Sequence, residues 1–518
     1  MKGEIFMKKI SKILSLALIA ILLLSMTLTS CGLLGGILGG SDKNDESDSK
    51  TSSDVQESES ETEKGLADLE VIDLGGRKFT MLWPEYISNE GHFRYSELGI
   101  DSSSSSQGDL IENAIYRRNE IVKSAYNADI EVTVIKYSEI VNLVRNEYTT
   151  GTTSYDVIAT MIAKMSTLAI EGMLSDYNDF EYYDEEQQWW NHDLMQSFSV
   201  VNKKYFGSGD IIYSDDLYPY VIYANTGLAE TVGIHDDFYQ LVADKEWTLE
   251  KFHNLAKEAV LDQDGDGVAA NSLEDRFGAV DGKSFARAMY YSAGKGVISF
   301  DEQGYPVWEM EVAYADMILS KILDIWHSDN AVVDVAQFNG GKTLPAMDIM
   351  NMFNSDQMLF MPGDLKAAQA FTSLDNALED YALLPIPLWD EDSDYVCVLN
   401  DSVVVSVPAM AMEQDEISLL LSAMGRESIN TLTPAFFEIV LTDRYMKNAQ
   451  SVATLELILD SVIPKDIADI QGWGGFMNQF CSLAVNNKTD FSSYYAENIS
   501  KARAEMDSYI SQLENIDK

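Results

Sequence analysis

The sequence predicts an α/β fold divided into two lobes, and three observations lead to this prediction. The chain has 518 residues, whereas a single hydrophobic core stops growing at about 250–300 residues. Hydrophobic residues make up 46% of the chain, which is enough apolar surface for two cores. From about residue 75 onward, stretches with the period of strands alternate with stretches of helical period, as in parallel sheets covered by helices. No internal repeat interrupts this order.

The first elements are predicted in strict alternation. Strands are predicted at 78–83, 130–137 and 155–161, and helices at 110–128 and 138–151, the latter with Ser138 as its N-cap. In sheets of this kind ligands bind beyond the carboxyl ends of the strands. Those ends are the segments 83–86 (WPEY) and 161–164 (MIAK). The second half shows longer helices, for instance at 247–260, 312–326 and 495–514.

The N-terminus has the pattern of a secretory signal peptide. A basic lead-in is followed by an apolar run at 13–24, and the tetrapeptide LTSC then ends at Cys31. This tetrapeptide resembles the lipobox of bacterial lipoproteins, which implies removal of residues 1–30 and lipidation of Cys31. An uncleaved membrane anchor is the alternative, because the apolar run approaches the roughly 20 residues that span a bilayer. Residues 31–74, rich in Ser, Asp and Glu, are expected to form a disordered tether.

Charge and cysteine content exclude some functions. The formal net charge of −48 repels phosphate backbones, so nucleic acid is excluded as a partner. Besides Cys31 the chain has only Cys397 and Cys481. Two distant cysteines do not make the dense disulfide framework of small secreted domains, so we expect two buried thiols.

Five segments resemble a known family. They are 172–180 (GMLSDYNDF), 220–233 (YVIYANTGLAETVG), 245–259 (KEWTLEKFHNLAKEA, with Thr248 as cap and Phe252 buried), 353–365 (FNSDQMLFMPGDL) and 381–389 (YALLPIPLW). In this order, over some 440 residues, they resemble the extracellular solute-binding proteins of family 1, the carbohydrate-type receptors of ABC importers.

The resemblance implies a type II periplasmic-binding-protein-like fold, in which two lobes, each a mainly parallel sheet flanked by helices, close on a ligand in the cleft between them. Lobe one is expected at 75–220 plus 397–430, and lobe two at 221–396 plus 431–518. The implied protein is a lipid-anchored monomer on the extracytoplasmic face of the bacterial cell membrane. It would bind a carbohydrate, expected to be an oligosaccharide, and deliver it to the membrane subunits of an ABC importer.

Aromatic and acidic residues at strand ends are the candidate ligand-binding residues, because sugars stack on aromatic rings and bond to carboxylates. They are Trp83, Tyr86, Asp216, Tyr218, Asp364 and Trp473. Trp473 lies in the sequence GWGG, from which an exposed ring is expected. A buried core aromatic or a solvated carboxylate is the alternative for each. A local arginine such as Arg287 or Arg444 could favour an anionic ligand despite the acidic chain.

The sequence DQDGDG at 262–267 begins like a calcium-binding loop. The expected ligands are Asp262, Asp264, Asp266, the carbonyl of Val268 and Glu274. The twelfth position, which should be Glu, is Leu273, so Glu274 or Asp275 could serve only in a loop with one more residue. The following residues predict a strand and not the second helix of an EF-hand. We therefore expect a structural Ca²⁺ site and no sensor, with a metal-free turn as the alternative.

An enzyme and a receptor for a non-sugar solute remain the rival interpretations. A secreted polysaccharide-degrading lipoprotein would have the same kind of signal peptide and the same extracytoplasmic location. The five histidines show no H-E-x-x-H spacing, however, and no G-x-S-x-G turn is present. We therefore expect a binding protein without catalytic residues.

Overall fold

The computed structural model describes residues 69–85, 96–99, 110–280, 282–334, 336, 340–342, 344–368, 381–399, 401–441 and 449–516. Residues Val71–Lys518 form one unit. The predicted signal peptide, Cys31 and nearly all of the predicted tether lie outside the described residues, so their assignment stays a prediction. Within the described part of the chain, no helix has both the length and the apolar character needed to cross a membrane.

Strands and helices alternate along the first half of the unit. In chain order they are β1 (Arg77–Glu85), α1 (Leu110–Tyr126), β2 (Ala128–Lys136), α2 (Ile140–Thr150), β3 (Val157–Met161), α3 (Ile162–Ile170), α4 (His192–Ser197), α5 (Ser214–Leu217), β4 (Tyr220–Asn225), α6 (Thr226–Val232), α7 (Phe238–Ala243), α8 (Leu249–Ala259), β5 (Phe277–Val280) and α9 (Lys283–Ser292). The predicted strands and helices of this half are all present.

The second half is richer in helices. It contains β6 (Ile298–Phe300), β7 (Pro306–Trp308), α10 (Val312–His327), β8 (Val332–Val333), α11 (Ala346–Asn354), β9 (Met358–Asp364), β10 (Tyr381–Leu384), β11 (Cys397–Leu399), β12 (Val403–Ser406), α12 (Gln414–Ser428), α13 (Leu432–Leu441), α14 (Ala449–Asp460), β13 (Val462–Pro464), α15 (Ile467–Gln471), α16 (Phe476–Val485) and α17 (Phe491–Asn515).

The first lobe is built on a four-stranded sheet of order β12-β3-β1-β2. β1 runs parallel to β2 and to β3, while β12 runs antiparallel to β3. All five residues of β3 are buried, as expected of a strand with helices on both faces of its sheet. The predicted parallel arrangement of the first three strands is therefore confirmed.

The second lobe is built on a five-stranded sheet of order β10-β4-β9-β5-β8. β5 is parallel to β8 and β9, whereas β4 is antiparallel to β9 and β10. Its core contains an aromatic cluster in which the Phe252 and Phe360 rings lie 5.0 Å apart and the Trp247 and Phe360 rings 5.5 Å apart. Phe252 is fully buried, so the buried face predicted for α8 is confirmed.

A small parallel pair, β11 with β13, lies between the two sheets. Leu399 at the end of β11 also bridges to Pro219, directly before β4. The chain thus passes between the lobes at this pair more than once. Because each lobe has its own sheet and its own core, the fold is a two-lobed α/β fold.

Two helix caps were predicted from the sequence, and one of them differs in the structure. α2 begins at Ile140, and its N-cap Glu139 makes no side-chain hydrogen bond to the helix, so Ser138 is not the cap. Thr248 does cap α8, accepting a hydrogen bond from the Lys251 N–H. Helix α13 packs on α1. The expected lobe bounds stay a prediction.

Candidate functional site

A cavity of about 230 Å³ lies between the lobes beside the β11–β13 pair. It is lined by Ile162, Ala163, Phe198, Arg287, Leu399, Asp401, Pro464, Lys465, Asp469, Ile470 and Asn478. Ile162 and Ala163 follow the carboxyl end of β3, where the sequence predicts ligand binding. The opposite wall comes from α9, α15 and α16. The cavity therefore joins a strand end of lobe one to α9, which follows the lobe-two strand β5, and to two helices that follow β13.

The polar floor of the cavity is organised around Arg287. Its Nε lies 3.0 Å from Oδ2 of Asp469, and its Nη2 donates to Oδ1 of Asn478 at 3.0 Å. Tyr291, one helical turn after Arg287, donates its hydroxyl proton to the same Asp469 oxygen at 3.2 Å. Burial disfavours the charged guanidinium, but Asp469, Cys481 and Tyr291 together outweigh this effect, so that the pKa of Arg287 lies above its ordinary value. These bonds hold the guanidinium in one orientation.

Asp466 fixes the short helix that carries Asp469. It is the N-cap of α15, where its Oδ1 accepts from the Asp469 N–H at 2.9 Å. Its other oxygen accepts from the N–H groups of Val297 and Ile298, at 2.6 and 3.3 Å. Burial and the neighbouring Asp469 carboxylate together raise the pKa of Asp466 to about 6, although the N–H groups that donate to it lower the pKa. The cap thus ties α15 to the strand β6.

Asp401 supplies a carboxylate on the side of the cavity next to the β11–β13 pair. Its Oδ1 accepts from the Ser402 N–H at 2.9 Å. Burial raises the pKa of Asp401, while the positive charges of Lys465 and Lys366 lower it. The cavity lining therefore carries two cations, Arg287 and Lys465, and two carboxylates, Asp401 and Asp469. Such a balanced lining suits a neutral polar ligand better than a strongly charged one.

Two of the predicted ligand-binding residues, Tyr218 and Asp364, lie together near Asp401. Lys366 joins them, since its Nζ lies 4.0 Å from the centre of the Tyr218 ring and 3.5 Å from Oδ2 of Asp364. Asp364 also raises the pKa of Asp401 through its charge. Neither residue is part of the cavity lining, and Tyr218 is buried. They border the site without forming its surface.

Three other candidates lie elsewhere or outside the described residues. Trp83 is buried inside β1, which continues to Glu85, so it belongs to the core of lobe one and not to a strand end. Asp216 lies half-buried in α5 and does not line the cavity. Tyr86 lies outside the described residues, as does Arg444.

Trp473 is buried, so the prediction of an exposed ring is wrong. Its ring is 4% exposed and packs edge-on against Tyr509 of α17, with the ring centres 5.5 Å apart. The glycines around it serve a different purpose. A Cβ at Gly474 would lie 2.7 Å from Cβ of Ala502. Gly474 is therefore needed for the close approach of α17, and that approach covers the tryptophan.

Four polar residues of the cavity were missed by the sequence analysis. They are Asp401, Lys465, Asp469 and Asn478. Asp469 and Asn478 lie on either side of the GWGG turn, so their proximity to that motif is a usable signal. Asp401 lies two residues after β11 and Lys465 directly follows β13, and only the pairing of these strands brings the two residues together.

The predicted calcium loop brings three carboxylates together. One oxygen from each of Asp262, Asp264 and Asp275 lies within 4.8 Å of the other two. The Asp262 oxygens also accept from the N–H groups of Gly265 and Gly267, at 2.7 and 2.8 Å, which shapes the turn. Three carboxylates so close together repel one another unless a cation lies between them.

Asp275, and not Glu274, closes this loop. Asp275 is fully buried, whereas Glu274 is exposed. Burial alone would raise the pKa of Asp275, but N–H groups from Gln263, Asn271, Asp264 and Ser272 donate to its carboxylate and together lower the pKa below its usual value. The loop thus places its last acid two positions later than an EF-hand does.

The other candidate metal ligands of the loop differ in how well they are placed to bind a metal ion. Val268 is half exposed, and its N–H donates to Oδ1 of Asp266 at 2.8 Å. The side-chain nitrogen Nδ2 of Asn271 donates to Oδ2 of Asp266 at 2.9 Å. Oδ1 of Asn271 is buried and has no hydrogen-bond partner among the described residues. This oxygen is an additional donor that suits a hard cation such as Ca²⁺.

Both remaining cysteines are free and buried, as predicted. Burial raises the pKa of Cys397 to about 11 and that of Cys481 to about 12. Both thiols are therefore protonated and inert at neutral pH.

The fold is shared with sugar-binding proteins of known structure. An ABC substrate-binding protein of Listeria monocytogenes in complex with cycloalternan matches with a TM-score of 0.52 at 11% identity, over 83% of this chain and 99% of that one. A cyclo/maltodextrin-binding protein complexed with maltotetraose matches with a TM-score of 0.53 at 11% identity, over 84% and 97%. The galacto-N-biose/lacto-N-biose I-binding protein of the ABC transporter from Bifidobacterium longum matches with a TM-score of 0.50 at 11% identity, over 86% and 98%.

No protein-family model and no curated protein sequence matches the chain. At about one identical residue in nine, the structural similarity concerns the fold. Since the alignments cover nearly the whole of these neighbours, the similarity extends over both lobes and the connection between them. The chain therefore has the two-lobed fold of the substrate-binding proteins of ABC importers.

Proposed function

We propose that the chain is an extracytoplasmic receptor that binds a carbohydrate between its lobes and delivers it to an ABC importer. The observation that carries this proposal is the cavity between the lobes, whose walls come from both of them and whose polar groups are fixed by hydrogen bonds. The neighbours in complex with cycloalternan, maltotetraose and lacto-N-biose support a carbohydrate as the ligand class. An oligosaccharide is the ligand suggested by these neighbours.

The cavity offers donors and acceptors in the arrangement that sugar hydroxyls need. Arg287 donates Nη2 to Asn478 and holds Nε 3.0 Å from Asp469 in an ion pair, and among the described residues Nη1 remains available as a donor to a ligand. Asp401 commits Oδ1 to the Ser402 N–H, which leaves Oδ2 as an acceptor. A hydroxyl both donates and accepts, so one sugar hydroxyl can bond to both groups. Phe198 supplies an aromatic surface for an apolar face of the ring.

A thermal-shift screen of the purified protein against mono- and oligosaccharides tests this proposal. A ligand that binds only the folded state raises the midpoint of unfolding, so one glycan class should raise it and be recovered unchanged. A glycan recovered in cleaved form would favour the rival enzyme. A screen in which no glycan raises the midpoint, while a non-sugar solute does, would overturn the carbohydrate assignment.

We also propose a lipid anchor at Cys31 after removal of residues 1–30, with residues 31–74 as the tether. The basic lead-in, the apolar run and the small residues before Cys31 support this. Two or more acyl chains would hold the protein stably at the membrane. In cells grown with a labelled fatty acid, the wild-type chain should carry the label and Cys31→Ala should not.

A structural Ca²⁺ held by Asp262, Asp264, Asp266 and Asp275 completes the proposal. The three clustered carboxylates and the buried Oδ1 of Asn271 support it. The ion would neutralise the carboxylates and stabilise the loop, as hard cations do with oxygen ligands. Chelation with EGTA should lower the melting temperature without abolishing ligand binding.

The two acids at the end of the loop offer a matched comparison. Asp275→Asn should abolish the difference in melting temperature between calcium and EGTA, because it removes a ligand charge. Glu274→Gln, at an exposed position, should preserve the difference. An equal calcium effect in wild type and Asp275→Asn would remove the metal site.

A further inference from the structure

Direct contact between the lobes closes the cavity on one side. Helix α3 begins at the cavity with Ile162 and Ala163. About one turn further along α3, the hydroxyl oxygen of Ser166 accepts a hydrogen bond from Nε2 of Gln471 at 2.6 Å. Gln471 ends α15, the helix whose residues Asp469 and Ile470 form the facing wall. The cavity therefore ends where α3 and α15 meet.

The C-terminal helix covers this junction from outside. The chain turns directly after Gln471, and Trp473 packs there against Tyr509 of α17. Both residues are 4% exposed, so their rings are shielded from solvent by the protein around them. The N–H of Gly474 donates to Oε2 of Glu505 at 2.7 Å, which fixes α17 against the turn. A second layer of protein thus lies behind the Ser166–Gln471 contact.

The end of α17 continues onto lobe one. Its C-cap Ile516 faces Gly172, which follows α3, and a Cβ at Gly172 would lie 3.6 Å from Cγ1 of Ile516. Glu514 accepts a hydrogen bond from the Tyr305 hydroxyl at 2.8 Å. Tyr305 lies in the hairpin formed by β6 and β7, so the helix and the hairpin are joined at this point.

The tip of the same hairpin is bonded to a turn of lobe one. The Val201 N–H donates to the carbonyl of Gly304 at 2.9 Å, and Nδ2 of Asn202 donates to the carbonyl of Gln303 at 2.9 Å. Val201 and Asn202 have φ values of +50° and +59°. A β-branched residue rarely adopts this conformation. The turn therefore holds a costly backbone conformation in the place where it meets the hairpin.

We infer that these contacts form a clasp, residues 505–516 of α17 together with the hairpin tip 301–305, that closes one end of the ligand cleft and limits the length of the carbohydrate. The inference rests on the proposed function. Pockets for larger ligands usually enclose about 300–1,000 Å³, whereas this cavity encloses about 230 Å³. A glycan of one or two rings fills such a space, and a longer chain cannot extend past α3. The ligand class is a short glycan.

Calorimetric titration with a length series tests the clasp. The series contains one to four rings of the glycan class found by thermal shift, and it is titrated into the wild-type chain and into a chain ending at Met506. In the wild type, affinity should reach its maximum at one or two rings, with less than about threefold tightening beyond them. In the shortened chain, the four-ring glycan should bind at least about tenfold more tightly than it binds the wild type.

Point variants distinguish two effects of shortening the chain, the opening of the cleft end and a general loss of stability. Tyr509→Ala loosens the clasp without shortening the chain and should show the same gain for long glycans. Phe491→Ala is the matched control, because this aromatic residue lies on the same helix but packs on Phe476, with the ring centres 6.2 Å apart. It should leave the length profile of the wild type unchanged even if it lowers stability.

The possible results distinguish this inference from the proposed function. A wild-type affinity that rises stepwise to four rings would overturn the clasp and leave the carbohydrate receptor intact. So would a plateau that neither the shortened chain nor Tyr509→Ala alters. Failure of every glycan, of any length, to bind would overturn the proposed function and the clasp with it.

Discussion

Asn478 is the residue of the cavity whose replacement separates binding from folding most cleanly. Its Oδ1 accepts from Nη2 of Arg287, and the residue lines the cavity. Arg287 and Asp469 are less suitable, because removal of either would leave the other charge without its partner in a mostly buried place. Asn478 carries no charge, so its loss leaves the ion pair intact.

Asn478→Ala should weaken glycan binding by about tenfold, which corresponds to about 1.4 kcal/mol and is typical of one lost hydrogen-bonding partner. Its melting temperature without ligand should stay close to that of the wild type. Asn486→Ala is the control, since Asn486 follows the same helix at its exposed end. Isothermal titration and thermal unfolding of both variants check this. Equal affinity of Asn478→Ala and the wild type would remove the cavity as the ligand site.

Glu97 makes the stability of lobe one depend on pH. It is buried, and its carboxylate accepts from the N–H groups of Tyr213 and Ser214 at 2.7 and 3.1 Å. Burial, which outweighs these hydrogen bonds, raises the pKa of Glu97 to about 7. Between about pH 4.5 and 7 the folded chain therefore holds a proton that the unfolded chain has lost. The free energy of unfolding contributed by Glu97 consequently falls as pH rises through this window.

Glu97→Gln should remove this dependence, because an amide does not titrate. The difference in the free energy of unfolding, variant minus wild type, should be larger at pH 8 than at pH 5, which means that the variant gains relative stability as the pH rises. Chemical denaturation of both proteins at the two pH values measures this double difference. Asp215, whose pKa burial raises to about 6, also raises the pKa of Glu97 through its charge, so its contribution cancels only in part. A double difference of zero would show that Glu97 is ionised in the folded state.

At the scale of single elements, the GWGG turn shows why packing cannot be read from composition. The sequence suggested that small neighbours expose Trp473. Gly474 has a φ of +63°, and a Cβ there would lie 2.7 Å from Ala502 on α17. A glycine allows both an open turn and a close helix contact. Only the position of a helix that begins at Phe491 decides between the two.

Gly474→Ala should therefore destabilise the fold more than an alanine at an open glycine with a similar φ. Gly151 ends α2 with a φ of +70°, and nothing lies within 4 Å of its Cβ position. Gly151→Ala should cost about 1–2 kcal/mol for the left-handed conformation alone. Gly474→Ala should cost about 1–3 kcal/mol more, because Ala502 and Phe476 must shift. Urea denaturation compares the two variants, and equal costs would show that α17 can move away freely.

The elements that the sequence predicted well are those with strong local signals. Strands and helices of the first lobe follow from hydrophobic period, and Thr248 caps α8 through a bond to a residue three positions on. The loop that begins at Asp262 was predicted to end with Glu274 or Asp275, and it is Asp275 whose carboxylate lies close to Asp262 and Asp264. Burial distinguishes the two acids, since Asp275 lies two residues before the strand β5 and is fully buried, whereas Glu274 is exposed. Local pattern therefore locates a motif, while tertiary packing selects its last residue.

On the scale of the whole molecule, the site exists because separate parts of the chain meet at the β11–β13 pair. Leu399 and Pro464 are partners in this pair, and the residues that follow them, Asp401 and Lys465, reach the same cavity. More than sixty positions separate the two strands in sequence, so no local pattern connects them. The resemblance to solute-binding proteins predicted a cleft between two lobes. The identity of the residues facing that cleft required the pairing of the strands.

Access to the interior between the lobes can be followed through Cys481. This thiol is fully buried on α16, three positions after Asn478 on the helix that lines the cavity. Burial raises its pKa to about 12, and the positive charge of Arg287 lowers the pKa only in part. The thiol is therefore unreactive at pH 8 until the structure opens. A bound ligand holds the cavity walls together and should suppress that opening.

The measurement uses a chain in which Cys31 and Cys397 are replaced by Ser, so that Cys481 is the only thiol. At a glycan concentration about 100 times Kd, labelling should slow by about 100-fold, because only the ligand-free fraction opens. In an Asn478→Ala background, the same glycan concentration should slow labelling about tenfold less, in proportion to its weaker binding. A labelling rate that does not respond to a glycan shown to bind by calorimetry would place the ligand away from α16. It would contradict closure of the lobes around this cavity.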